Sequence, residues 1–243
     1  MLLTIIIFGS ALTTATLSGI FGMGGGMILI GVFAATLPLT TAMLLHGGTQ
    51  LGANGYRAVL LARHVCWRMV AHIGIGALAA IATLVSLQLS LEVNRVFIIL
   101  GTIPIAALLF PKSIGLSIER PSHAIGCGYA FVALQLLAGA SGPILDAFFL
   151  RTRLSRFEIV ATKSAISCIG HSLKLLYWGV LLSSAEEFGL GQWIFVVSIG
   201  AAFMGTRLGK RILTRLSESQ FRHYSTGLVI AIATIYLIRG VIW

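Results

Sequence analysis

The sequence predicts an all-α polytopic membrane protein built from two inverted-topology repeats, on three observations. The first is composition: of 243 residues, 57% are hydrophobic and only 10% charged, with a mean hydropathy of +0.98, whereas about a quarter of a soluble domain is charged. The second is a series of apolar stretches, most of them near the ~20 residues a helix needs to cross a bilayer. The third is the sorting of basic residues between alternate loops. A chain of this length holds at most about eight or nine such spans, so no separate extramembrane domain is expected and function must sit among the helices. Its 28 glycines suit membrane helices, where small residues let backbones approach closely. The formal charge of +10 is read as topological rather than as a nucleic-acid footprint, so the expected partners are a small anionic substrate and the lipid bilayer. Cys66, Cys127 and Cys168 are odd in number and widely separated, which speaks against disulfides and metal binding.

The first stretch runs from about Leu2 to Phe21. It lacks the basic n-region and small-residue cleavage site of a signal peptide and is expected to be retained. It enters GMGGG (22–26) and then continues apolar, the pattern of an interrupted hairpin. Further stretches follow at about 39–62, 69–91 and 93–110, separated by Leu37-Pro38, a polar turn and Glu92. After Pro111 and Pro121, the stretch 123–138 runs into GASGP (139–143) and again continues apolar, as a second hairpin. The remaining spans are expected at about 157–182, 190–206 and 223–243, with Glu186-Glu187 between the first two.

Lys and Arg accumulate on the cytoplasmic side of bacterial-type membranes, and Asp and Glu count for little. Arg63 and Arg68 form one basic group, Lys112 and Arg120 a second, and Arg151, Arg153 and Arg156 a third. Arg207, Lys210, Arg211, Arg215 and Arg222 form a fourth. These twelve are assigned to the cytoplasm, and only Arg95 dissents. The assignment puts both termini on the periplasmic face of a bacterial inner membrane. It also divides the chain into 1–120 and 121–243, each a hairpin followed by three spans. Three is odd, so the halves are inverted.

A shift of 117 residues superposes Gly22 on Gly139, Gly25 on Gly142, Asn54 on His171 and Arg57 on Lys174 without a gap. Gly74 and Gly200 match after about nine inserted residues. Inverted repeats with broken helices are the pattern of secondary transporters, whose site lies near the midplane at the repeat interface. Unwound backbone and half-helix N-termini there attract anions.

The run SGIFGMGGGMILIGVF (18–33), the later GASGP and the closing GTRLGKRILTRLSESQFRHY (205–224) resemble the sulfite exporter TauE/SafE family of membrane permeases, and the resemblance covers nearly the whole chain. Members commonly carry a second GxGGG-like break and a proline shortly after the first. Here Ser141 and Pro143 stand in the second break and Gly31 follows the first. The resemblance implies export of small sulfur-containing anions, such as sulfite or organosulfonates of the sulfoacetate kind.

Ionisable groups inside a bilayer cost about 2.5–3.5 kcal/mol each at a helix centre on insertion scales and are functional candidates. Arg57 and Lys174 each lie about 18 residues into matched spans, one toward each mouth. His46 and Lys163 match in the same register, and each precedes its partner, Asn54 or His171, by eight residues, about 80° around a helix. Thr49 and Gln50, with Ser164 and Ser167 opposite, are candidates to replace the substrate's water. The expected substrate path therefore comprises Gly22, Gly24, Gly25, Gly26, His46, Thr49, Gln50, Asn54 and Arg57 from the first half. From the second it takes Gly139, Ser141, Gly142, Lys163, Ser167, His171 and Lys174. Asp146, the one acid clearly within a hairpin, is either a coupling-proton carrier or a structural partner of Lys163; His72 is read as a packing residue.

Two other classes compete. GASG (139–142) is also the GxSG nucleophile motif of rhomboid intramembrane proteases, with His171 on a later helix. The same basic, glycine-rich features also suit a passive anion channel. The repeat places Ser141 opposite Gly24, which accounts for it as a helix break and favours a transporter over an enzyme. No cofactor is expected, because the glycine cluster joins apolar helices rather than a strand and a helix, and no metal site is expected.

Overall fold

The computed structural model describes residues 2–22, 24–87, 117–139, 141–149, 152–181 and 193–242, with the isolated positions 98, 101, 102, 105, 106 and 191. Every regular element among them is helical. The first half contributes α1 (Leu2–Phe21), α2 (Gly25–Thr36), α3 (Leu39–Leu60) and α4 (Trp67–Leu87). The second contributes α5 (Pro121–Ala138), α6 (Gly142–Phe149), α7 (Arg156–Leu176), α8 (Trp193–Leu213) and α9 (Glu218–Ile242). The span expected at 93–110 lies outside the described residues except at 98, 101, 102, 105 and 106. So do the loop charges Glu92, Arg95, Lys112, Arg151, Glu186 and Glu187. Among the described residues, α1, α4 and α9 are long and apolar enough to cross a membrane. The helices α3, α5, α7 and α8 have comparable length, and α3 and α7 are less apolar because their polar side chains face inward. The chain is a helical membrane protein.

Helix ends differ from expectation where capping and dipole effects outweigh hydropathy. The helix α8 runs to Leu213 instead of 206, carrying Lys210 and Arg211 in its last turn, where cations complement the negative end of the helix dipole. The helix α9 begins at Glu218, five residues before the apolar stretch. There Ser217 Oγ accepts from the Gln220 N–H and Gln220 Oε1 from the Ser217 N–H, a reciprocal capping box. Ser155 and Glu158 form a second such box at the start of α7.

Helix order follows from where the small residues fall. The helix α1 packs along α8 in the same direction: Gly205 presses on the Leu12 carbonyl, and Gly209 on Thr16 and Gly19. The helix α4 packs on α5, with Gly76 against the backbone of Ile125 and Tyr129 and Gly128 against Ile73. Between these two pairs lie α3 and α7, antiparallel, as the partners Arg57 with Ser164 and His46 with Lys174 require. The large apolar side chains that fill the interior include Phe33, Phe131, Phe149 and Phe221.

The connections rich in basic residues gather at one end of the bundle. The Cys66 N–H donates to Thr162 Oγ1, and Lys210 donates to the Leu60 carbonyl. Arg156 pairs with Glu218 at 2.7 Å. The Arg153 N–H donates to Glu119, and Arg222 donates to the carbonyls of Thr152 and Leu154.

Candidate functional site

Both helix breaks are made by glycine in backbone conformations that other residues avoid. Gly22 and Gly24 have φ of 67° and 78°, and Gly139 has φ of 73°, the left-handed region in which a Cβ is penalised. After each break a new helix starts, α2 at Gly25 and α6 at Gly142. The dipole of that helix makes its N-terminal end favourable to anions. A cavity of about 50 Å³ lies between the two breaks, room for a few waters, given that one needs about 10–15 Å³. Ser18, Gly22, Gly24, Gly26 and Met27 line it on one side and Phe131, Gln135, Ser141 and Gly142 on the other. Between them, α3 contributes His46, Gln50, Asn54 and Arg57, and α7 contributes Ser167 and His171.

Three hydrogen-bonded assemblies surround this cavity. In the first, Arg57, 2% exposed, donates from Nη1 to Asn54 Oδ1 at 3.1 Å and to Ser164 Oγ at 3.4 Å. Asn54 is held in turn through its Nδ2, which donates to the Gln50 carbonyl at 2.8 Å and to Gln50 Oε1 at 3.3 Å. Arg57 Nε and Nη2 are buried with no hydrogen-bond partner, and no carboxylate pairs with this guanidinium among the described residues. Nε and Nη2 share one edge of the guanidinium, the edge that grips two oxygens of an oxyanion at once.

The second assembly joins the breaks. Lys174, fully buried, donates to the Gly139 carbonyl at 3.1 Å and to His46 Nδ1 at 2.9 Å. His46 Nε2 donates to the Gly26 carbonyl at 2.8 Å, so a lysine and a histidine link the second break to the start of α2. The third assembly centres on Gln135. Its Oε1 accepts from Ser141 Oγ at 2.7 Å and its Nε2 donates to His171 Nδ1 at 2.9 Å. The rings of His46 and His171 meet edge to face at 5.4 Å.

The sequence-derived path residues thus divide. Gly22, Gly24, Gly26, His46, Gln50, Asn54, Arg57, Ser141, Gly142, Ser167 and His171 line the cavity. Gly139 and Lys174 stand behind it, joined to His46. Gly25 is pressed against the Thr14 carbonyl and Ser18. Thr49 turns the other way, to Ser198 Oγ at 2.6 Å on α8. Lys163 leaves the path altogether and forms a buried ion pair with Asp146. Its side chain projects from α7 one residue before Ser164, and that 100° step turns it toward α6. Ser141 and His171 each bond Gln135, which intervenes where a catalytic serine–imidazole pair would need a direct hydrogen bond. Ser18, Met27, Phe131 and Gln135 were not picked out from the sequence. For two of them a signal existed, because Gln135 follows Ser18 by the same 117 residues that relate the other pairs. Among the described residues no cluster of His, Cys, Asp and Glu is arranged to hold a metal.

Comparison with known proteins agrees with this architecture. No curated protein matches the chain, and no solved structure does. The family model described as sulfite exporter TauE/SafE matches residues 7–236. The match takes in both breaks, the cavity between them and all the residues of the three assemblies, and the chain belongs to the sulfite exporter TauE/SafE family.

Proposed function

We propose that this membrane permease carries small sulfur oxyanions, sulfite or organosulfonates such as sulfoacetate, out across the bacterial inner membrane. The cavity between the breaks is then the substrate site, exposed alternately to the two sides. The observation that carries the reading is Arg57: a buried cation whose Nε and Nη2 edge has, among the described residues, neither a hydrogen-bond partner nor a counter-charge, on a residue that borders a cavity. Burying a charge with unsatisfied donors is costly, and a bound oxyanion removes that cost.

The alternating mechanism draws support from the likeness of the halves. The helices α4 and α8 both span 21 residues and both begin with tryptophan. The first helix of each half packs on the third long helix of the other, α1 on α8 and α5 on α4. Four pairs of cavity residues, Ser18 and Gln135, Gly24 and Ser141, Gln50 and Ser167, Asn54 and His171, are each separated by 117 positions. Two inverted repeats, 1–120 and 121–243, account for all three. Rocking one against the other around a fixed site is how such repeats alternate access.

The test is flux into proteoliposomes of sulfite, sulfoacetate, sulfate and chloride, with the wild type, Arg57→Ala and Lys174→Ala at matched protein levels. Saturable flux of a sulfur oxyanion, accelerated by the same anion trapped on the far side and lost in Arg57→Ala, is the expected outcome. Flux without counterflow identifies a channel, and absence of flux for every anion overturns the substrate class.

A further inference from the structure

The ion pair of Lys163 and Asp146 lies outside the anion cavity and has a cavity of its own. This second space, about 30 Å³, is bordered by Asp146, Lys163, Arg222, Ser225 and Thr226 and closed by apolar side chains; it holds about two waters. Its inner end is polar and buried: Lys163 is 2% exposed, Asp146 3% and Ser225 4%. Ser225 Oγ has no hydrogen-bond partner among the described residues, which leaves a buried hydroxyl for water in this space. Its outer end is the half-buried pair Arg222 and Thr226, at the basic end of the bundle, where Arg222 holds the carbonyls of Thr152 and Leu154. Lys163 and Ser225 each lie seven residues beyond the start of their helices, about 10 Å from that end.

The two cavities share two helices. The helix α6 places Gly142 on the anion cavity and Asp146 on the second one. The helix α7 places Lys163 on the second cavity, and its next residue, Ser164, receives the Nη1 bond of Arg57. We propose that Asp146 is a proton-binding site reached from the basic end through this second cavity, and that its protonation raises the affinity of the anion site across α7. The inference rests on the anion-binding reading above. The proton passes from water in the second cavity to the Asp146 carboxylate, and Lys163 keeps its ammonium. The pair, neutral while Asp146 is ionised, then carries one uncompensated positive charge beside the helix face that positions Arg57. Among the described residues, the charged groups that share this cavity with Asp146 are Lys163 from α7 and Arg222 from α9; the anion cavity beyond α7 holds Arg57, His46 and His171, with Lys174 behind it. Linkage is reciprocal, so anion binding also draws a proton onto Asp146.

Methanesulfonate, a sulfonate that stays ionised throughout, is the probe, with its affinity for purified protein measured between pH 8 and pH 5. Asp146→Asn imitates the protonated carboxyl and keeps a partner for Lys163. It is expected to bind methanesulfonate at pH 8 about fivefold or more tightly than the wild type does at pH 8, close to wild-type affinity at pH 5. Asp146→Asn binding at pH 8 no tighter than wild type overturns the proposal. Should Asp146→Asn fail to fold, Asp146→Asn/Lys163→Gln removes both charges together; pH dependence in that variant equal to wild type overturns it equally. Wild type that binds no sulfonate at any pH refutes the anion reading instead.

Discussion

Arg57 decides what the cavity can hold. Its Nη1 is committed to Asn54 and Ser164, which turns the free Nε and Nη2 edge into a planar fork suited to two oxygens. Charge alone would attract any anion, whereas a fork selects oxyanions over halides. Arg57→Lys keeps the charge and loses the fork. It is therefore expected to weaken oxyanion binding about tenfold while leaving chloride binding near its original level, as competition of chloride against sulfite for uptake will read. Equal weakening for both anions would remove the fork from the account. His46 and Lys174 act at the same scale but differently: they bond each other and the backbone of both breaks, so their side chains tie the two hairpins, and His46 also lines the cavity.

At the scale of elements, glycines set the geometry through space rather than flexibility. Gly139 closes α5 at φ 73°, and a Cβ there would stand 2.6 Å from Met43 Sδ. Gly139→Ala is expected to cost about 1–3 kcal/mol through the left-handed backbone and the overlap together. Gly126, on the same helix, has open space where a Cβ would go, and Gly126→Ala should leave stability within about 0.5 kcal/mol of wild type. Thermal unfolding in detergent compares the two, and equal midpoints would mean that the second break tolerates a side chain. The short helices α2 and α6 follow from the same cause: each begins where glycine lets the chain reverse, so each begins at the cavity.

For the whole molecule, the basic connections share one end, and positive charge marks the cytoplasmic side. With the three native cysteines replaced by serine, Ser217→Cys should react with a membrane-impermeant maleimide only after the cells are permeabilised. Thr36→Cys, at the exposed far end of α2, should react in intact cells. The reverse pattern would invert the orientation and with it the assignment of Asp146 to the cytoplasmic side.

Composition and hydropathy determined the class of this protein, because an interior of lipid admits only helices or closed barrels and leaves the apolar runs visible. The breaks at Gly22–Gly26 and Gly139–Gly142 were legible as glycine clusters between apolar runs, although a glycine pair alone does not break a helix: Gly47 and Gly48 lie within α3. The stripe on α3 and α7 was legible as depth and spacing, but not as partnership. Lys163 and Lys174 look alike along the chain, each a lysine on the same helix within eight residues of His171. Only packing sent Lys163 to Asp146 and Lys174 to His46. Gln135 joined the site for the same reason: its offset of 117 residues from Ser18 was legible, but its partners were not, because Ser141 and, on α7, His171 meet its two ends only in the packed structure. Local sequence determines which residues are helical and how deep they lie, because those properties depend on near neighbours and on solvent. Which buried polar groups meet is decided by the crossing of helices distant in sequence, so it exists only in the tertiary structure.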